Sequence, residues 1–297
     1  MSRATVFAPG SVGNVGPGFD VLGLAIDGAG DTVTVELGRS GPVIVRGRDA
    51  ALVPTDPAKN AAAIAARAIV DEPFQVTIDK GLPVSGGMGG SAASSVAGAL
   101  AAALAADKKA SPEEIMRAAL EGETFVSGRH LDNIAPITLG GLVLSRSVDP
   151  IDAIRLKVPN GWSVALITPK VRIETKQARA ILPQQWDRAS WIQQMANTAA
   201  LIAAFESGDG PLARRALDDL YAEPRRAPMI PHFSDVKRAA LQAGAFGCSI
   251  SGSGPTIFAI VDASNSDRIV SAMRKAMGDV ESESRVATIA REGARRV

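Results

Sequence analysis

The chain has 297 residues, 46% hydrophobic and 21% charged, which excludes a disordered or fibrous protein and suffices for two medium domains or one large one. Lys and Arg number 32 against 31 Asp and Glu; the net charge of +1 gives no footprint for nucleic acid or an anionic membrane, so phosphates must be met locally. Cys248 is the only cysteine and there are two histidines, which excludes an intrachain disulfide and a Cys/His zinc cluster and leaves a hard, oxygen-bound metal carried in by a nucleotide.

Residues 1–7 lack the apolar core of a signal peptide and no uninterrupted apolar run is long enough to cross a bilayer, so a cytoplasmic protein without a membrane partner is expected. Residues 5–8 read as a short strand that enters a shaped loop over residues 8–20. There Pro9, Gly10, Gly13, Gly16, Pro17 and Gly18 oppose any helix or central strand, and Asn14 and Asp20 supply amide and charge. Residues 32–37 alternate as a strand, with residues 43–46 as its partner. The apolar run 61–70 predicts a buried helix opened by Asn60 as a potential N-cap.

Residues 74–78 form a further strand that feeds a glycine-rich loop over residues 83–95. Gly86, Gly87, Gly89 and Gly90 let the backbone bend and bring its NH groups close to a ligand, and an alanine-rich helix over 91–106 follows at once. Unpaired NH groups and the positive end of the helix dipole favour phosphate there, with Ser91 as a candidate N-cap. No Walker pattern exists in the chain, and no lysine lies between Lys80 and Lys108.

Ser111, Pro112, Glu113 and Glu114 start a second helix by serine capping, proline at its first position and carboxylates in its first turn. That helix carries Glu121 and Glu123 and ends near Phe125; a polar loop over 127–136, a Gly140-Gly141 break and a strand over 142–144 follow. A composition shift at 149–159 divides the chain into units 1–155 and 156–297. The second unit should contain a strand at 162–167, a helix from Thr175 that stops before Pro183, helices at 189–205 and 212–220, and a turn-rich stretch at 221–231. Then come a helix at 234–243, a short strand at 249–250, a third glycine loop at 251–256, a strand at 257–261, a helix at 267–277 and a last strand at 286–289.

The pattern P-x-x-x-G-M-G-x-S-A-A at residues 83–93 resembles the nucleotide-phosphate loop of the GHMP kinases. Within that family, three further stretches resemble the homoserine kinases: A-P-x-S-x-x-N-x-G-x-G-F-D at 8–20, E-x-x-x-S-G-x-H-x-D-N-I-A-P at 123–136, and the pair T-x-x-x-R and E-P-x-R at 175–179 and 223–226. The resemblance covers essentially the whole chain. It departs at Gly90, where the family usually has a serine, and at Arg129, the single residue between Ser127-Gly128 and His130 where two are common.

The resemblance implies an α+β fold of two domains, an N-terminal mixed α/β domain with the glycine phosphate loop and a C-terminal ferredoxin-like α/β sandwich, with ATP and substrate in the cleft between them. It implies phosphorylation of L-homoserine by ATP to O-phospho-L-homoserine, a step toward threonine. The nucleotide would contact Pro83, Val84, Ser85, Gly86, Gly87, Met88, Gly89, Gly90, Ser91, Ala92 and Ala93, with Asn60 near the adenine ring, and Mg²⁺ would be held by Ser91 and Glu123. Asp20 would face the substrate ammonium with Asn14 as an orienting group, Arg179 and Arg226 its carboxylate, and His130 a further part of the substrate. Arg225 is the decoy beside Arg226. Thr175 would stand near the reacting hydroxyl and metal, Asn133 near that hydroxyl, and Asp132 where some relatives place a base. The third glycine loop would pack beside the first. A GHMP kinase for another alcohol and a non-catalytic nucleotide-binding protein are the rival readings; the sequence leaves a homodimer open.

Overall fold

The computed structural model describes residues 2–126 and 128–297. Its first strand, β1 (Arg3–Gly13), runs straight through Pro9 and Gly10, where a loop is expected. The reason is a register shift between Pro9 and Gly10 against the antiparallel partner β2 (Leu22–Leu37). A bulge tolerates a residue without an NH donor, so the proline costs the ladder little. The loop is thereby confined to residues 14–21.

β3 (Ile44–Gly47) does not pair with β2; it lies parallel to β4 (Phe74–Lys80), and the chain between them carries α1 (Ala61–Arg67) as a crossover. Parallel neighbours need such a connection, whereas the antiparallel place beside β2 is taken by β4. Asn60 caps α1, its Oδ1 accepting from the NH groups of Ala62 and Ala63. α2 (Gly90–Ala105) is capped by Gly89 in the left-handed conformation, so Ser91 lies inside the first turn rather than at the cap. The alanines of α2 let it sink between α1 and the sheet, and a Cβ on Gly98 would lie 2.4 Å from the Ala62 carbonyl oxygen.

α3 (Pro112–Val126) begins with a reciprocal cap, in which the Ser111 NH donates to Glu114 Oε2 at 2.7 Å and the Glu114 NH to Ser111 Oγ at 3.2 Å. The expected polar loop turns helical at its end as α4 (Ile134–Leu139). Pro136 fits there because NH groups of a first turn have no intrahelical partner. β5 (Leu142–Val148) pairs with both β2 and β6 (Ile151–Leu156), completing the N-terminal contribution to the first sheet.

The second sheet starts at β7 (Trp162–Pro169). After it come α5 (Thr175–Ala180), α6 (Arg188–Ser207), α7 (Gly210–Ala216), which ends short of residue 220, and α8 (Glu223–Arg226), a helical turn within the turn-rich stretch. Asp219 nucleates α8, accepting from the NH groups of Tyr221, Ala222 and Glu223. The remaining elements are α9 (Phe233–Gln242), β8 (Gly247–Ile250), β9 (Ile257–Asp262), α10 (Ser266–Met277), β10 (Ser282–Thr288) and β11 (Arg295–Arg296).

The antiparallel order β10-β7-β9-β8 is fourth, first, third, second within that unit, the arrangement of a ferredoxin-like sandwich. The chain end then leaves this sheet: Ile289 bridges Ile26, and β11 joins the free edge of β1. Residues 289–297 therefore add to the sheet that residues 3–156 build.

Candidate active site

A cleft of about 410 Å³ takes lining from residues 14–133 and from residues 172–253. Its phosphate end is the loop after β4. Ser85, Gly87 and Gly89 have φ of 56°, 76° and 69°, alternating turns that direct successive NH groups to one side. None of the NH groups from Ser85 to Gly89 donates to another described residue. The carbonyls of this loop are held instead. Met88 O accepts from Ser11 NH at 3.1 Å, Gly87 O from Ser251 Oγ at 2.5 Å and Gly86 O from Thr256 Oγ1 at 2.6 Å. The third glycine loop thus packs directly on the first; a Cβ on Gly87 would stand 2.5 Å from Ser251 O.

Beneath the loop lies an ion pair that the sequence reading missed. Lys80 and Asp31 are both buried and bonded to each other. Lys80 Nζ also donates to Gly90 O at 3.0 Å and Ser94 Oγ at 3.2 Å, while Asp31 accepts from the NH groups of Gly81 and Leu82 at 3.1 Å and from Ser94 Oγ at 2.7 Å. Every charge is matched, and the network ties β2, β4 and the start of α2 into one floor. Asp31 and Lys80 are 49 residues apart, and no local pattern marks either.

Pro83, Val84, Ser85, Gly86, Gly87, Gly89, Gly90, Ser91 and Asn60 line the cleft. Met88, Ala92 and Ala93 do not; their side chains are buried in the core. Asn60 Nδ2 donates to Pro54 O at 2.8 Å, so its amide is committed at both ends to local structure. Ser91, half-buried in α2, and Glu123, 3% exposed in α3, both border the same space. An oxygen-only donor pair beside a phosphate loop fits a hard divalent cation. Lys59, Arg172 and Ser253 line the cleft as well and were not singled out.

The same cleft also gathers Asn14, Asp20, His130, Asp132, Asn133, Thr175, Arg179 and Arg226, with Asn133 Oδ1 only 3.1 Å from where a Cβ on Gly89 would stand. Arg179 grips Asp20 with Nη1 to Oδ2 at 2.9 Å and Nη2 to Oδ1 at 2.6 Å, and both side chains stay 32% exposed to the cleft. Burial lowers the Arg179 pKa, but the hydrogen bond and charge of Asp20 override it and raise the net value. Asn14 sets the Asp20 position: its Oδ1 accepts from the Asp20 NH at 3.0 Å and its Nδ2 donates to Gly252 O at 3.1 Å. Phe19 lies under both arginines, 5.4 Å from Arg179 and 5.3 Å from Arg226.

Arg226 is buried, its Nε donating to Ala178 O at 3.1 Å and its Nη1 to Gly252 O at 2.8 Å. Burial, followed by the charge of Arg179, draws its pKa down. Arg225 points elsewhere, donating to the carbonyls of Leu220 and Tyr221. Glu223 also faces away, bonded to Lys237 and to Ser249 Oγ at 2.6 Å, where it anchors α8.

His130 Nδ1 and Asp132 Oδ1 are 2.8 Å apart. Burial opposes a charged imidazole, but the hydrogen bond and charge of Asp132 win and raise its pKa from the ordinary 6.5 to about 9. A protonated ring is no metal ligand, which argues against reading the Asp20, His130 and Asp132 cluster, whose atoms lie within 4.8 Å, as a cation site. Asn133 Oδ1 accepts from Ser11 Oγ at 2.8 Å, and Thr175 Oγ1 is 3.2 Å from Ser253 Oγ. The cleft therefore presents the backbone NH groups of a glycine loop together with side chains of both signs of charge.

The chain is similar to known proteins along most of its length. The family described as GHMP kinases N terminal domain matches residues 57–141, and GHMP kinases C terminal matches residues 201–279. The chain is 39% identical to the homoserine kinase of Chloroherpeton thalassium, covering 99% of both chains. It is 40% identical to that of Arabidopsis thaliana over 89% of this chain and 75% of the other. The crystal structure of homoserine kinase from Cytophaga hutchinsonii superposes with a TM-score of 0.93 at 37% identity, covering 100% of this chain and 98% of that one. Similarity of this degree along the whole length shows that the chain belongs to the homoserine kinases of the GHMP kinase family.

Proposed function

We propose that this enzyme transfers the γ-phosphoryl group of ATP to the side-chain hydroxyl of L-homoserine, releasing ADP and O-phospho-L-homoserine on the way to threonine. The observation that carries the reading is that Arg179, Arg226 and Asp20 share one cleft with the free NH groups of residues 85–89. Two guanidinium groups suit a carboxylate, and a carboxylate suits an ammonium. Asn14 fixes Asp20, and His130, whose pKa the Asp132 carboxylate raises to about 9, lies beside Asp20 and Asp132 and would be a further substrate contact. Asn133 and Thr175 line the same cleft and would orient the hydroxyl for in-line attack.

Asp132 is committed to His130, which supports a role in orienting this loop rather than in taking the proton, and the γ-phosphate is the acceptor in this reading. Ser91 and Glu123 are the residues that would hold Mg²⁺, which when bound supplies neutralisation of the charge that develops on the phosphates. The nucleotide base would lie toward Asn60, Leu52, Val53 and Pro54. We assign residues 1–155 to the ATP-binding unit and 156–297 to the second, whose closing residues 289–297 return to the sheet of the first, and a cytoplasmic location suits a reaction that consumes ATP.

Coupled ADP release tests the function. Homoserine should stimulate release strongly over a substrate-free control, with serine, threonine, mevalonate and galactose giving little. Stimulation by another alcohol in preference to homoserine would replace the substrate, and no stimulation by any alcohol would leave a nucleotide-binding protein.

A further inference from the structure

Most cations of the cleft already have a partner. Lys80 is buried against Asp31, Arg179 grips Asp20, Arg226 donates to the carbonyls of Ala178 and Gly252, and His130 is bonded to Asp132. Lys59 shares an exposed pair with Asp56 at 3.7 Å. Arg172 lines the same cleft, is exposed, and makes no hydrogen bond, ion pair or ring contact with another described residue. All five of its donors remain available.

The backbone on both sides of Arg172 is fastened to the support of the phosphate loop. Before it, Thr168 Oγ1 lies 2.7 Å from Thr256 Oγ1, the hydroxyl that donates to Gly86 O. After it, Ile173 is buried against the third glycine loop, where a Cβ on Gly254 would stand 3.4 Å from Ile173 Cδ1, and Thr175 meets Ser253 of that loop. Gly254 in turn abuts the first loop, its carbonyl oxygen 2.8 Å from where a Cβ on Gly87 would stand. The segment is anchored, and the arginine side chain on it is left free beside the phosphate loop.

That loop needs a cation from elsewhere. Residues 81–107 contain neither lysine nor arginine, so the loop and α2 offer a phosphate only backbone NH groups, hydroxyls and the helix dipole. During phosphoryl transfer the γ-group spreads negative charge over its equatorial oxygens, and a guanidinium fork matches such oxygens in pairs. Lys59 immediately precedes Asn60, on the side of the cleft assigned to the base, which leaves Arg172 as the free cation beside the loop.

We propose that Arg172 is a catalytic residue, brought to the phosphates by the second unit, whose guanidinium folds onto the γ-phosphoryl group of the bound nucleotide. The inference rests on the kinase reading above. In the step it assists, the acceptor hydroxyl oxygen bonds to the γ-phosphorus while the bond from that phosphorus to the β–γ bridging oxygen breaks. The bridging oxygen leaves with the electron pair on ADP, and the hydroxyl proton passes to a γ-phosphate oxygen. Arg172 keeps all its protons and contributes by neutralising the charge on the moving group.

Steady-state kinetics and calorimetry of Arg172→Ala test this. An exposed side chain bonded to nothing in the protein can be removed without loss of fold, so Tm should be unchanged. The variant should lose kcat on the order of 100-fold with the homoserine KM little altered. It should bind ADP as the wild type does, ATP more weakly, and ADP with aluminium fluoride and homoserine, a mimic of the group in flight, far more weakly. Arg172→Lys should recover part of the rate, and Lys176→Ala, which removes an exposed charge four residues on, should leave it unchanged. Near-normal kcat in Arg172→Ala, an equal loss of ADP and ATP affinity, or equal harm from Lys176→Ala would each overturn the proposal. Wild-type turnover of homoserine is measured first: an unaffected Arg172→Ala then overturns the role of Arg172 alone, whereas a wild type silent with every alcohol overturns the kinase reading and this inference together.

Discussion

Arg179 and Asp20, 159 residues apart, neutralise each other in the cleft through two charge-assisted hydrogen bonds of 2.9 and 2.6 Å. They are the residues expected to meet the opposite ends of an amino acid. A zwitterion entering the cleft can trade one ion pair for two, its carboxylate taking the guanidinium and its ammonium the carboxylate.

That relationship makes the two residues a coupled unit. Asp20→Ala and Arg179→Ala should each lower kcat/KM for homoserine by about 10- to 100-fold while nucleotide affinity changes little. The double variant should lose less than the product of the two. Steady-state kinetics of the four proteins forms the cycle, and full additivity would show that the pair does not act as one.

Arg226 and Arg225 should separate cleanly. Arg226→Ala deletes a buried guanidinium that bonds Ala178 O and Gly252 O, so it should raise the homoserine KM strongly and cost about 2 kcal/mol of stability or more. Arg225→Ala removes a cap on the carbonyls of Leu220 and Tyr221 and should leave KM nearly unchanged. The reverse result would shift the substrate contact by one residue.

The floor of the phosphate loop is predicted to be fragile to half-removal. Lys80→Met leaves Asp31 buried and uncompensated, and Asp31→Leu does the same to Lys80; each should cost about 3–5 kcal/mol in denaturant titration. Lys80→Met combined with Asp31→Leu should recover part of that loss. Equal or greater loss in the double variant would mean that the network is valued for its bonds to Gly90 and Ser94 rather than for charge balance.

With only His130 and His232 in the chain, NMR can follow each imidazole. His130 should titrate near pH 9, against an ordinary 6.5. Because the folded value is raised, its contribution to stability is complete below about pH 6.5 and is lost as pH rises through about 9. Asp132→Asn removes the charge that outweighs burial, so the His130 value should fall and this pH dependence disappear. The same variant, if Asp132 orients the loop, should keep measurable turnover with the wild-type acid limb. Total loss of the chemical step with both substrates still bound would make Asp132 the base.

Glu123→Ala should reduce turnover far more than it weakens nucleotide binding, measured by calorimetry with and without Mg²⁺. Near-normal turnover would remove Glu123 from the metal-binding assignment.

Short-range chemistry was legible in the amino-acid sequence alone. The glycines before α2, the Ser111 and Glu114 cap of α3 and the Asn60 cap of α1 depend on neighbours within a few residues, so their signals survive in one dimension. The family motifs likewise brought Asn14, Asp20, His130, Asn133, Thr175, Arg179 and Arg226 to one cleft. Only the tertiary structure decided which residues answer one another across the chain. Pro9 could be read as a strand breaker until a bulge against β2 accommodated it, and β3 as a partner of β2 until β4 occupied that edge. Asp31 and Lys80 look like ordinary surface charges until folding buries them together, and α6 shows which of its faces is inside only once Pro17 and Asp219 arrive to bond Gln194. In each case the deciding energy belongs to a contact between residues remote in sequence, and no local pattern encodes which remote residue will be there.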